Sequence, residues 1–155
     1  MLAWLSNQQR LEAYRMALSE ASRSPKTDWV VMSDEEYGRT NDVAIGQQLL
    51  SKLFNTGVTG IFCYNDMVAV NALLGCQERG ISVPQDLSLV GFDGIALSRY
   101  VTPPLTTVYQ PMLELGRSAM QMLLDVLQEK SVENQVLSPF LVKRGSSAGT
   151  VSSNQ

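Results

Sequence analysis

The chain has 155 residues, 45% hydrophobic and 17% charged, which suits one compact domain or part of a larger one. Its net charge is -3 and its densest basic cluster is only Lys143-Arg144, so the sequence argues against DNA binding by this chain on its own. It contains no histidine, which excludes zinc sites built on imidazole and catalytic triads with a histidine base.

Hydrophobic patterning predicts alternating helices and strands along the chain. Helical spacing of apolar residues predicts helices, whereas short apolar runs bounded by Gly, Pro or Asp predict buried strands. The predicted helices cover residues 7–22, 43–54, 67–79 and 112–128, and the predicted strands cover residues 29–32, 60–64, 87–92, 105–109 and 140–144. This alternation indicates an α/β fold with a mostly parallel sheet and flanking helices.

The two cysteines, Cys63 and Cys76, lie in apolar segments and are interpreted as buried thiols rather than a disulfide. The sequence shows no transmembrane span, and its opening "MLAWL" is too short for a secretory signal. We therefore expect a cytoplasmic protein without membrane contact.

Polar residues interrupt the apolar sequence after two predicted strands. Asn65 and Asp66 stand inside "CYNDMVAV", and Asp93 follows "LSLVGF". The carboxyl ends of parallel strands share one edge of a sheet, where open α/β sheets bind ligands, so these side chains should converge there. Amide and carboxylate groups suit the hydroxyls of a sugar or nucleoside. A structural interpretation stays open, because Asn-Asp also caps helices and Asp93-Gly94 also forms turns; for Asp66 the cap is preferred.

An ordered set of motifs resembles the effector-binding domain of lactose/galactose-repressor (LacI/GalR) transcriptional regulators. These motifs are an apolar strand followed by Asn-Asp, then "VPQDLSLVGFDG", "PLTTV" and a closing strand that ends in "RGS". They span about residues 10–149. The resemblance implies one lobe of a two-lobed, periplasmic-binding-protein-like fold that senses a sugar or related metabolite and is not an enzyme.

The resemblance also implies an effector site. Arg10 in "QQRLEAY", Asn65 and Asp93 stand at the positions that hydrogen-bond effector hydroxyls. Gln110 stands where residues line the hinge and cleft, and Tyr37 stands in a loop that often carries an aromatic residue against a sugar ring. From the residues alone, an exposed helix arginine is the preferred interpretation of Arg10, and Tyr37 can be an ordinary loop tyrosine. No metal or cofactor is implied.

The sequence departs from the family pattern at its start. It shows no helix-turn-helix head and lacks most of the first lobe, so residues 1–150 are expected to be the C-terminal portion of the effector-binding domain, followed by a disordered tail at 151–155. DNA would be bound only through the missing head, and a homodimer is expected from the family. The apolar face of the helix from Met112 to Gln128 should be exposed unless another chain covers it, which predicts association.

Two other functions were considered. A sugar-binding protein of a transport system would share the fold. An enzyme that uses Asp66 and Asp93 to hold Mg²⁺ is disfavoured, because the sequence has no phosphate-binding glycine-rich loop and no nucleophile paired with a base.

Overall fold

The computed structural model describes residues 2–31, 42–53 and 56–149. Four α-helices are found in these ranges: α1 (Leu2–Glu20), α2 (Asp42–Leu53), α3 (Asp66–Glu78) and α4 (Met112–Leu127). The same ranges contain four strands: β1 (Gly60–Phe62), β2 (Ser88–Asp93), β3 (Thr106–Tyr109) and β4 (Phe140–Val142). Short 3-10 helices occupy Thr27–Trp29 and Ala96–Arg99. The predicted α/β class is confirmed.

The described strands form one sheet in the order β1-β2-β3-β4. The first three strands are parallel, and β4 runs antiparallel to β3. In the register, Asp93 at the end of β2 lies opposite Tyr109 at the end of β3. The sheet is therefore mostly parallel, and the carboxyl ends of β2 and β3 finish side by side.

The core lies where α3 packs against the sheet. Val68, Ala69 and Leu73 of α3 are buried, as are Ile61 and Leu89 on the strands. On the opposite side of α3, α2 approaches closely because it carries a glycine at position 46, where a Cβ would lie 2.6 Å from the Asn71 Cβ atom. Apolar burial of this kind contributes about 1.5–3 kcal/mol for each large aliphatic side chain.

The segment after β4 fastens the sheet through polar contacts. The Ser146 hydroxyl donates to the Leu89 carbonyl at 2.6 Å and accepts from the Thr106 N–H at 2.8 Å. The Arg144 guanidinium donates to the Leu105 carbonyl at 2.7 Å and to the Ser98 hydroxyl at 2.9 Å. The "RGS" motif of the sequence thus holds β2, β3 and the Ala96–Arg99 turn together.

One predicted element is wrong over the described residues. In place of a strand at 29–31, the chain makes a 3-10 turn that ends with the Val30 N–H donating to the Thr27 carbonyl at 3.1 Å. Four apolar residues alone were too short a run to separate the two possibilities.

Helix α4 exposes a broad apolar face, as predicted. None of its residues is buried, and Leu113 and Leu127 are 79% and 71% exposed. Its charged and polar residues, including Glu114 and Asp125, lie on the other side of the helix at helical spacing. A face of this size is unusual for the surface of a monomer, and the association that it implies stays a prediction.

Candidate functional site

The candidate site lies at the carboxyl edge of the parallel strands. Asn65 follows β1 after a two-residue connection, Asp93 ends β2, and Gln110 directly follows β3. Arg10 reaches the same edge from α1, where its guanidinium donates to the Tyr64 carbonyl at 2.7 Å and lies 3.9 Å from the centre of the Phe92 ring. Four of the five predicted site residues therefore converge, and Tyr37 lies outside the described residues.

Arg10 is held in place from two sides. Its hydrogen bond to a carbonyl fixes one nitrogen of the guanidinium, and the stacked Phe92 ring adds a cation–π contact. An arginine side chain carries five N–H donors in a rigid fork, and these contacts fix the orientation of that fork at the sheet edge. The exposed-helix interpretation of Arg10 is thereby corrected, because the side chain is half-buried against the sheet.

Asn65, and not Asp66, is the N-cap of α3. The Asn65 side-chain oxygen accepts from the Val68 N–H at 2.8 Å, and its backbone is extended, with φ -149° and ψ 169°. The preferred assignment of the cap to Asp66 is wrong, because Asp66 is already the first residue of the helix. The cap uses only the side-chain oxygen of Asn65. Its amide nitrogen Nδ2 makes no hydrogen bond with the described residues and is therefore an available donor.

Asp66 is instead a fully buried carboxylate. Its Oδ1 accepts from the Thr107 hydroxyl at 2.5 Å, and its Oδ2 accepts from the Ile95 N–H at 2.8 Å. A buried charge is tolerated only when its oxygens are satisfied in this way. The carboxylate has space because β2 carries Gly91, where any Cβ would overlap Asp66 Oδ1.

Asp93 sits in a strained turn beside Gln110. Its φ of +112° is uncommon for a residue other than glycine and costs about 1–3 kcal/mol. The Gln110 amide donates to Asp93 Oδ1 at 2.7 Å, and the Gln110 N–H donates to the Asp93 carbonyl at 3.2 Å. The next residue, Gly94, also has a positive φ of 76° and packs so closely on the Tyr109 ring that a side chain would collide with it.

Burial dominates the electrostatics of Asp93. Loss of solvent raises the pKa of its carboxyl above 3.8, and the hydrogen bond from Gln110 and the charge of Arg10 act in the opposite direction. The charge of Asp66 adds a smaller upward effect on the same pKa. Strain and burial at one polar residue are typical of functional sites.

An open depression adjoins these groups. Its volume is about 480 Å³, and it is lined by Asp93, Gly94, Ile95, Tyr109, Gln110 and Met112. It forms one wall with a carboxylate, an amide and an aromatic ring, which together can accept and donate hydrogen bonds and cover an apolar ring face. Neither Tyr109 nor Phe92 was predicted as a site residue. The one available signal was an aromatic residue at or next to the end of each of the three parallel strands.

Comparison with known proteins gives the family. The sequence pattern of the periplasmic binding protein-like domain matches residues 5–147. The chain belongs to this family, in its LacI/GalR branch. The resemblance drawn from the sequence motifs, and the fold class that it implied, are therefore confirmed.

Individual relatives agree with this assignment to the LacI/GalR branch. The chain is 38% identical over 141 residues to the ribose operon repressor of Haemophilus influenzae and 32% identical over 139 residues to the HTH-type transcriptional repressor PurR of Vibrio cholerae. These matches cover 90% and 88% of this chain but 41% and 40% of the relatives. The chain thus spans less than half the length of these LacI/GalR relatives.

A solved structure supports the same branch. The LacI family transcriptional regulator from Enterococcus faecium, with bound ribose, is 33% identical, superposes with a TM-score of 0.76, and is matched over 90% of this chain and 50% of its own. These relatives are regulators rather than enzymes or transport proteins, so they do not support the transport alternative.

No group of three or more Cys, Asp or Glu residues in residues 2–31, 42–53 and 56–149 is arranged to hold a metal ion. No helix of the described part is both long and apolar enough to cross a membrane.

Proposed function

We propose that this chain senses a small polyhydroxylated metabolite, in the first instance a sugar, as the C-terminal part of the effector-binding domain of a LacI/GalR transcriptional regulator. The observation that carries the proposal is the convergence of Arg10, Asn65, Asp93 and Gln110 at one sheet edge. The relative with bound ribose supports the class of ligand.

The roles of the four side chains follow from their contacts. Arg10 contributes a guanidinium cation that the Tyr64 carbonyl and the Phe92 ring orient, and Asn65 offers an amide nitrogen whose companion oxygen is committed to the cap. Asp93 offers a carboxylate in which Gln110 holds Oδ1, while no described residue donates to Oδ2. A sugar hydroxyl can donate to that Asp93 oxygen and accept from the Asn65 amide, beside the positive charge of Arg10.

Regulation of DNA binding is part of the proposal. The ligand would lie between this wall and a second lobe and favour one of two arrangements of the lobes, because it contacts them differently. DNA would be bound by a helix-turn-helix head outside this chain. We further propose a cytoplasmic homodimer that performs no catalysis, since the relatives named above are transcriptional repressors.

A ligand panel tests the proposal. Thermal melts of the chain are recorded with pentoses, hexoses, disaccharides and purines at high millimolar concentration. The same melts are recorded for Asp93→Ala and for the control Asp125→Ala on α4, whose half-buried carboxylate pairs with Lys130. A ligand at a hundredfold excess over its Kd stabilises the folded state by about 2.7 kcal/mol. We expect a shift with one ligand class that Asp125→Ala retains and Asp93→Ala loses. A shift that survives in Asp93→Ala would place the ligand elsewhere and refute the site.

A further inference from the structure

Asp66 is buried at the point where three elements of the site meet. It begins α3 directly after the cap Asn65, and its two oxygens reach Thr107 on β3 and Ile95 in the turn after β2. Both Asp66 and Thr107 are fully buried, so neither contacts a ligand directly. The carboxylate therefore acts on the site only through its neighbours.

The hydrogen bond to Ile95 fixes the end of the strained turn. Asp93 and Gly94 both have positive φ, and the Ile95 N–H comes two residues after Asp93. On the other side, the Gln110 amide and N–H hold Asp93 itself. An unusual backbone conformation persists only where its surroundings over-determine it, and Asp66 supplies one of these restraints.

Asp66 also acts through its charge. Among the described residues, the charged groups acting on Asp93 are Arg10 from α1 and Asp66 from α3. Their effects oppose each other, because a cation favours the ionised carboxyl and an anion disfavours it. Both effects are smaller than that of burial, so they modify the raised pKa of the Asp93 carboxyl without setting the direction of its shift.

We propose that Asp66 is a positioning residue of the effector site, which holds the Asp93–Ile95 turn by accepting the Ile95 N–H while the Thr107 hydroxyl anchors its other oxygen. The ligand-binding measurement that tests this role rests on the proposed function, whereas the NMR measurements on Asp93 and Ile95 do not.

Two variants separate the charge of Asp66 from its hydrogen bonds. In Asp66→Asn the amide oxygen can accept from the Ile95 N–H and the amide nitrogen can donate to the Thr107 hydroxyl, so mainly the charge is lost. In Thr107→Val the charge of Asp66 remains, and the hydrogen bond from the Thr107 hydroxyl to Asp66 is lost. Thr107→Ser restores the hydroxyl, and Asp86→Asn is the matched control, because the exposed Asp86 also accepts from one backbone N–H, that of Ser82, at 2.8 Å.

NMR of the full chain gives the readouts. The pKa of the Asp93 carboxyl is measured by carbon-detected titration, and the Ile95 amide is followed by its proton shift and hydrogen exchange. We expect Asp66→Asn to lower the pKa of Asp93, because a nearby anion is removed, and to move the Ile95 proton upfield as its acceptor becomes neutral. We expect Thr107→Val to speed exchange at Ile95, and Thr107→Ser to restore it.

The outcomes are distinguishable. If Asp66→Asn changes the pKa of Asp93 and the amide shift and exchange of Ile95 no more than Asp86→Asn does, Asp66 is not a positioning residue. If Asp66→Asn does not fold, the Thr107→Val and Thr107→Ser pair decides: unchanged Ile95 exchange in both refutes the proposal. D-Ribose is the binding probe, and Thr107→Val is expected to lower its affinity by up to about tenfold, because a turn with one restraint removed holds Asp93 less firmly. If wild type binds none of the panel but the NMR responses persist, the positioning role stands and the proposed function fails.

Discussion

Gly91 on β2 gives the sharpest test of how the site is built. In Gly91→Ala the new Cβ overlaps Asp66 Oδ1 and lies 3.0 Å from the Leu105 Cδ2 atom. Overpacking costs about 1–3 kcal/mol. If the carboxylate moves away, the Ile95 N–H or the Thr107 hydroxyl loses its partner, at a further cost of about 1–3 kcal/mol. We expect a total loss of about 3 kcal/mol.

Urea unfolding followed by circular dichroism measures this loss of unfolding free energy. In a thermal melt of a chain of this length, the same loss of about 3 kcal/mol lowers the melting temperature by about 10 °C. Gly60→Ala is the matched control, since Gly60 also lies in a strand but a Cβ there would meet nothing closer than 3.8 Å from Ser88. We expect Gly60→Ala to change stability by less than about 1 kcal/mol. Equal stabilities of the two alanine variants would refute the close packing of Asp66 on β2.

Three further predictions address the cap, the Asp93 carboxyl and α4. Asn65→Ala removes the N-cap and should lower the unfolding free energy by about 1 kcal/mol in urea titrations, whereas no change would contradict the cap. Burial raises the pKa of Asp93 in the folded state above 3.8, so the stability that this carboxyl contributes is present below 3.8 and is lost as the pH rises through the raised pKa. Urea titrations at pH values that span this rise should show the loss of unfolding free energy in wild type and not in Asp93→Asn. Leu123→Glu on the apolar face of α4 should reduce the concentration-dependent association seen by sedimentation velocity, whereas Gln121→Glu on the polar face should not. Equal association of the two variants would show that the apolar face is not the contact surface.

The convergence of the site could be predicted from the sequence because it depends on topology. Strands joined by a crossover helix run parallel, so Asn65 and Asp93 had to reach one edge once the strands before them were identified. Gln110 was placed through the resemblance, and the pairing of Asp93 with Tyr109 brings it to the same edge. Arg10 could be placed only through the resemblance, since nothing in its own segment indicates that its helix crosses to the Phe92 ring.

The roles of Asn65 and Asp66 could not be separated in advance. Both are good caps, and which one caps depends on the residue at which β1 ends. The sequence predicted the strand to residue 64, but β1 ends at Phe62, so the helix begins at Asp66 and its carboxylate turns beneath the sheet. The space at Gly91 that receives this carboxylate is a property of packing between β2 and α3 and leaves no trace in a single sequence.

The most direct test of the effector site is a ligand titration of the labelled chain, followed residue by residue in amide NMR spectra. D-Ribose is the first ligand, and the other members of the panel follow. The account predicts saturable shifts concentrated at Arg10, Asn65, Asp93 and Gln110, which Asp93→Ala abolishes. Saturable shifts that leave these four residues unmoved would contradict it.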